Sequence, residues 1–310
     1  MKILVVGAGA IGGYFGGRLL ESGQDVTFLV RKARAETLAR KGLQIRSAQG
    51  NIDLPPPRTV QADALNETFD LIIVSCKAYH LPQAIEDMAP AVGEQTAILP
   101  LLNGMRHLDL LEARFGVGHV LGGQCVIPAT LDAEGVVRHL GPAAGLSFGE
   151  RDGSRSPRVE RIAEAMASAR FDSRLSTSIL QDMWDKWVFL ASLAGSTCMM
   201  RAPVGDIVAA PDGERAMLDL LEECRRVAEA NGHAPKDAAM ERSRGMLTAK
   251  GSTMSASMLR DLEQGSAVEA DHVDHVIGDL LVRGDAAGLI SPALRLAYVH
   301  LKAYEVRRGR

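Results

Sequence analysis

The stretch "KILVVGAGAIGG" (2–13) decides the fold. Residues 3–6 are a continuous apolar run of the kind found in strands buried on both faces, and a G-x-G-x-x-G pattern follows at once at 7–12. A helical pattern then runs over 11–22. Between a strand and a helix, this glycine pattern is the signature of a dinucleotide-phosphate loop. Gly7 permits the tight turn, Gly9 lets the backbone approach a pyrophosphate, and Gly12 lets the helix pack closely on the strand. Ala8, Ala10 and Ile11 complete the loop, and the free N–H groups of the helix start favour an anion. The alternative is a glycine-rich turn that binds nothing.

Working outward, apolar runs at 2–8, 25–30, 69–76, 97–103 and 119–128 read as strands, with helical stretches at 11–22, 33–41 and 80–89 between them. Strands spaced by helices imply a parallel, doubly wound sheet. The segment 135–150, with Gly and Pro at its turns, reads as an antiparallel hairpin-like ending. From Ser178 onward only helical periodicity appears. Ser178 and Gln181 form a capping-box pattern, and Gly232 follows "AMLDLLEECRRVAEAN" as a helix-ending residue. Further helices are expected over 236–249, 255–264 and 269–288, and Ser291–Pro292 opens a last one. The expected architecture is therefore α/β plus all-α: a Rossmann-type domain over 1–174, then a helical substrate domain over 175–310.

The chain has 310 residues, is 46% hydrophobic and 24% charged, and carries a net charge of −3. It has no basic tract, which argues against nucleic acid as a partner. The uncharged run 187–200 is shorter than the roughly 20 residues needed to span a bilayer, so no membrane span is expected. Four scattered cysteines with no CxxC pair suggest reduced thiols in a cytoplasmic protein. The apolar helical half is compatible with a homodimer, which no sequence feature specifies.

Two local features point to chemistry. The second strand ends "FLVRKARAE" (28–36), with Arg31, Lys32 and Arg34 where an NAD site would place an acid. Arg pairs well with a ribose 2′-phosphate, so NADPH is expected with Arg31 as main contact; the alternative is a solvated basic loop. In "MWDKWVFLASLAGSTCMM" (183–200), Lys186 precedes fourteen uncharged residues. It either snorkels beside Asp185 or faces a site where its charge is used. Burial would lower its pKa toward the working pH. "HVDH" (272–275) pairs two histidines without a third ligand, so no metal is expected.

Several segments together resemble the ketopantoate reductase (2-dehydropantoate 2-reductase) family. "GAGAIGGYFGGRL" (7–19), "CKAYHLPQAI" (76–85) and "LLNGMRHLDLL" (101–111) are similar to its N-terminal domain. "DMWDKWVFLASLAGSTCMMRAPVGDI" (182–207) and "STMSASMLRDLEQGSAVEADHV" (252–273) are similar to its helical domain. The resemblance implies hydride transfer from NADPH to a small-molecule 2-keto acid, with ketopantoate reduction to pantoate, a step of pantothenate biosynthesis, as the leading case. It implies Lys186 as general acid, Glu269 as the catalytic carboxylate on the substrate hydroxyl, and Ser257 at the substrate carboxylate. It further implies Asn103 beside both nicotinamide and substrate, Lys77 on the cofactor side, and Arg31 at the 2′-phosphate. Apart from the family, Glu269 also reads as a carboxylate favoured at a helix start. One departure stands out. Where the family usually carries Asn four and eight residues after the lysine, this chain has Leu190 and Ala194, which suits a more apolar or differently shaped keto acid. A non-catalytic NADPH-binding sensor is a further alternative; it would need neither Lys186 nor Glu269.

Overall fold

A computed structural model describes residues 1–265 and 273–309. Glu269 and His272 lie outside the described residues. The chain forms two compact units, Met1–Leu102 with His107–Leu180, and Asn103–Arg106 with Gln181–Arg310.

The strands are β1 (Lys2–Val6), β2 (Asp25–Leu29), β3 (Leu43–Arg46), β4 (Ile52–Leu54), β5 (Arg58–Val60), β6 (Leu71–Val74), β7 (Ala97–Pro100), β8 (Gly122–Val126), β9 (Ala129–Leu131), β10 (Val137–His139), β11 (Gly145–Gly149) and β12 (Asp172–Leu175). Between them lie α1 (Ala10–Glu21), α2 (Lys32–Lys41), α3 (Leu81–Met88), α4 (Arg106–Phe115) and α5 (Pro157–Ala167). The expected parallel sheet is present, in the order β5-β2-β1-β6-β7 with every pairing parallel. Ile3, Val5, Phe28, Leu71, Ile73 and Leu99 form its buried core. Burial on both faces explains why these strands read as unbroken apolar runs.

Other strands depart from the sequence reading. β8 does not extend the parallel sheet; its antiparallel partner is β11, in a separate sheet of order β12-β11-β8. An isolated bridge, Ile98 to Val120, ties the start of that stretch to the parallel sheet. The segment 135–150 is not a hairpin. β10 pairs back with β9 and lies parallel to β3, whereas β11 joins β8 and β12. Gly141 and Pro142 break the chain between them, and Pro142 has no N–H to donate to a ladder. Strands β3, β4 and β5 fall where no strand is expected. They are three or four residues long, and three prolines (55–57) separate the last two. Helix α5 is also unanticipated, although Ser156 caps it by accepting from the Val159 N–H and Pro157 sits in its first turn.

The second unit is helical. Among the described residues it contains α6 (Ile179–Met200), α7 (Val204–Ala209), α8 (Gly213–Ala230), α9 (Asp237–Leu247), α10 (Ser257–Glu263), a π-helical turn (Val273–Gly278), α11 (Asp279–Ala286) and α12 (Pro292–Arg308). Gly232 ends α8 as expected. Its φ is 81°, its N–H reaches the Glu229 carbonyl at 2.9 Å, and the His233 N–H reaches the Ala228 carbonyl at 2.9 Å, the two bonds of a Schellman motif. The cap of α12 differs from expectation. Ser291 makes no side-chain capping bond; instead the buried Glu223 carboxylate, from α8, accepts from the Ala293 and Leu294 N–H groups at 3.1 and 2.9 Å. A carboxylate there also suits the positive end of the helix dipole.

Candidate active site

In the first unit, a cavity of about 650 Å³ is walled by Gly7, Ala8, Gly9, Ala10 and Ile11, by Arg31, Lys32 and Arg34 after β2, and by Ser75, Cys76, Lys77 and His80 after β6. The glycine loop is shaped as its sequence requires. Gly7 has φ 93°, a conformation that side chains rarely tolerate. A Cβ on Gly12 would lie 2.0 Å from the Gly7 carbonyl and 2.2 Å from Ser75 Oγ, so only glycine permits this approach of helix to strand. A Cβ on Gly9 would meet nothing within 4 Å, which leaves open space on the side where a pyrophosphate is expected. Gly12 contributes packing and is not part of the cavity wall. Ser75 has no sequence signal. The parallel register of Val6 with Val74 sets it beside Gly7, and its hydroxyl bonds the Val6 and Gly7 carbonyls at 3.0 and 3.1 Å.

Arg31 is the residue before the first turn of α2 and is exposed in the cavity wall. Its guanidinium lies against the His80 ring, with Nη2 to Nδ1 at 2.9 Å and Nη1 to Nε2 at 3.3 Å. The wall carries four cationic residues, Arg31, Lys32, Arg34 and Lys77, against two acids, Asp63 and Asp87. That excess suits a polyanionic ligand. The residues present therefore fit a phosphate-bearing dinucleotide. Cys76, half-buried, also lines the cavity, and burial pushes its thiol pKa up to about 12, which keeps it in the unreactive thiol form. None of the four cysteines is in a disulfide.

In the second unit, Lys186 sits on α6 with its Nζ donating to Asn103 Oδ1 at 3.0 Å. Asn103 is not part of the cavity wall. Asp185, one residue away, is turned to other partners, accepting from Gln181 Nε2 at 2.8 Å and the Lys236 N–H at 3.4 Å. At about 100° per residue, Leu190, Ala194 and Thr197 continue the helix face that begins at Lys186. Leu190 is half-buried and Ala194 buried, so the two departures from the family pattern lie along the lysine's own face. Thr197 Oγ1 accepts from the Ala256 N–H at 3.4 Å, and Ser257, next in the chain, is the exposed first residue of α10.

The adjoining side of the Lys186 turn is locked. Trp187 is buried, and its indole N–H donates to the Val276 carbonyl in the π-turn at 2.8 Å. Gly104, next to Asn103, has φ 79°, and a Cβ there would stand 2.0 Å from the His275 carbonyl. The π-turn thus buttresses both neighbours of the Lys186–Asn103 pair, and π-turns recur at functional sites. The sequence carries no signal for either contact. No group of three or more metal-ligating side chains occurs among the described residues, and no described helix is long and apolar enough to cross a membrane.

Comparison with known proteins fits both halves of this arrangement. Residues 3–153 match the family described as Ketopantoate reductase PanE/ApbA, and residues 178–305 its C-terminal counterpart. The chain belongs to the ketopantoate reductase family. It is 39% identical over 308 residues to the uncharacterised oxidoreductase YkpB of Bacillus subtilis, covering 99% of this chain and 100% of that one. A crystal structure of 2-dehydropantoate 2-reductase from Geobacter metallireducens superposes with a TM-score of 0.87 at 28% identity, covering 98% and 99% of the two chains. A D-mandelate dehydrogenase bound to NADH and anilino(oxo)acetate shares the fold, with a TM-score of 0.88 at 20% identity over 100% of both chains. Family membership makes this chain an oxidoreductase.

Proposed function

We propose that this ketopantoate reductase family member reduces a 2-keto acid to a 2-hydroxy acid with NADPH, and that ketopantoate, reduced to pantoate, is its leading substrate. The observation that carries the reading is the Lys186–Asn103 pair, in which an ammonium on a largely apolar helix is held by an amide oxygen 3.0 Å away. When bound, the dinucleotide supplies the hydride. The chain supplies what the carbonyl then needs. As negative charge builds on its oxygen, the Lys186 ammonium stabilises it and gives up a proton. Asn103 fixes the direction of that ammonium. Ser257 meets the substrate carboxylate, and Glu269 holds the new hydroxyl. Gly7, Ala8, Gly9, Ala10 and Ile11 take the pyrophosphate, while Arg31 supplies charge for the 2′-phosphate and Lys77 stands on the cofactor side. Retention of Lys186 speaks against a purely sensing role, which would need only the cavity.

A second substrate reading has its own support. Leu190 and Ala194 make the Lys186 face apolar where family members usually present amides, and this favours a 2-keto acid with a more apolar side chain. The test is NADPH oxidation at 340 nm with ketopantoate beside a panel of branched and aromatic 2-keto acids. Dominant turnover of ketopantoate supports the first substrate; ketopantoate near background with another keto acid active supports the second. In the latter case Leu190→Asn shifts kcat/KM back toward ketopantoate by about tenfold, the worth of one well-made polar contact. No turnover with any keto acid overturns the enzymatic reading.

A further inference from the structure

Arg34 is half-buried on α2, in the wall of the first unit's cavity. Its Nε donates to the Ala8 carbonyl, inside the glycine loop, at 2.8 Å, and its Nη1 donates to the Gly135 carbonyl at 3.0 Å. Gly135 is at the turn between β9 and β10. Its φ is 81°, and a Cβ there would come within 2.8 Å of Arg34 Nη1. The turn is built to hold that carbonyl in place. Asp132 Oδ1 accepts from the Glu134 and Val136 N–H groups at 3.0 and 2.9 Å, and Asp132 Oδ2 accepts from Arg138 Nε at 2.8 Å. Lys41, at the far end of α2, binds both the Glu134 carboxylate and, at 3.3 Å, its carbonyl. Beyond the turn, Val137 packs against α1 where Gly13 leaves room; a Cβ on Gly13 would stand 2.8 Å from Val137 Cγ2. The β9–β10 turn therefore braces the glycine loop at Ala8 through Arg34, and β10 packs at Gly13 on the helix that follows the loop.

We propose that Arg34 is a positioning residue for the dinucleotide: by tying Ala8 to the β9–β10 turn it holds the loop amides in the geometry that receives the pyrophosphate, whether or not the ribose carries a 2′-phosphate. This rests on the reading that the cavity takes a dinucleotide, and it separates the work of two arginines three residues apart. Arg31, exposed beside His80, discriminates at the ribose. Arg34, pinned by two carbonyls, serves the pyrophosphate shared by NADH and NADPH. No carboxylate partners Arg34 among the described residues, its Nη2 has no hydrogen-bond partner there, and burial holds its pKa below the usual arginine range. A partly buried cation without a counter-ion is costly, and a bound pyrophosphate would offset that cost.

The experiment measures binding of NADPH and of NADH, by nicotinamide fluorescence, to the full-length wild type and to Arg34→Met, Arg34→Lys, Asp132→Ala and Arg31→Ala. Arg34→Met is expected to weaken both dinucleotides by the same factor, about tenfold or more, as fits loss of charge-assisted hydrogen bonds. With cofactor saturating, its kcat stays within about twofold of wild type. Arg34→Lys recovers part of the loss. Asp132→Ala loosens the turn without altering the cavity wall and gives a smaller, again equal, weakening; it carries the test if Arg34→Met does not fold. Equal binding of both dinucleotides by wild type and the Arg34 and Asp132 variants overturns the inference alone. So does a loss confined to NADPH in Arg34→Met, which would place Arg34 directly on the 2′-phosphate. A wild type that binds neither dinucleotide overturns the proposed function and this inference with it.

Discussion

The wall of the first unit's cavity is drawn largely from residues a few positions beyond strand ends, whereas Lys186 and its partner Asn103 are 83 residues apart in the chain. The first arrangement follows from topology. Parallel strands end on one edge of the sheet, and whatever follows them is brought together there. Much of its chemistry is backbone N–H, which any residue supplies once glycine has made the turn. The second arrangement depends on particular side chains from separate segments, each fixed by its own packing, as Trp187 is fixed on the Val276 carbonyl and Gly104 on His275. A backbone-built site should fail when backbone geometry fails; a side-chain site should fail when one functional group is removed and leave the fold intact.

Within the loop, that contrast is sharpest at Gly12 and Gly9. Gly12→Ala forces a methyl group within about 2 Å of a carbonyl and a hydroxyl, so it is expected to destabilise the apo protein by at least about 2 kcal/mol. Differential scanning calorimetry should show a melting temperature lower by about 5 °C or more. Gly9→Ala meets nothing in the protein and should leave the apo melting temperature unchanged while weakening dinucleotide binding. A Gly12→Ala variant as stable as wild type would show that α1 does not need this close approach to the strand. Next in size, Arg31→Ala should raise the KM for NADPH about tenfold or more through loss of a charged contact and leave that for NADH nearly unchanged. An equal rise for both would remove Arg31 from the 2′-phosphate. The smallest expected effect is at Cys76. Its thiol pKa is raised to about 12, so at pH 8 the neutral thiol dominates and alkylating reagents should label it negligibly in the native protein. Because the pKa is raised, labelling should increase only as pH climbs toward 12. Rapid labelling at pH 8 would show that the chain opens at the end of β6.

How far the sequence declares each region follows from the same contrast. The glycine loop, the five-stranded sheet's central strands and the C-terminal end of α8 are legible because each depends on a contiguous pattern, apolar runs or a Gly at positive φ. The short strands β3 to β5 are not, since three residues such as Arg58–Val60 carry too little pattern to register. The exchange of strands among β8, β10 and β11 is set by pairing partners far along the chain. The capping of α12 by Glu223 could not be read, because a carboxylate 70 residues upstream reaches the Ala293 N–H; Ser291 offers the more visible local cap and does not use it. At the Lys186 site, the lysine is conspicuous for its uncharged surroundings, but Asn103 is legible only through resemblance to the family. Arg34 is visible as a basic residue, whereas its hold on Ala8 and Gly135 depends on a turn 101 residues away.

In the proposed reaction Lys186 carries the proton chemistry, separately from cofactor binding. The direct measurement is kcat with the best 2-keto acid, alongside the NADPH dissociation constant, for wild type and Lys186→Ala. In Lys186→Ala kcat is expected to fall by about a thousandfold, within the range for loss of a general acid that also stabilises developing charge, while NADPH affinity stays within about twofold. Turnover within tenfold of wild type in Lys186→Ala would contradict that role for Lys186.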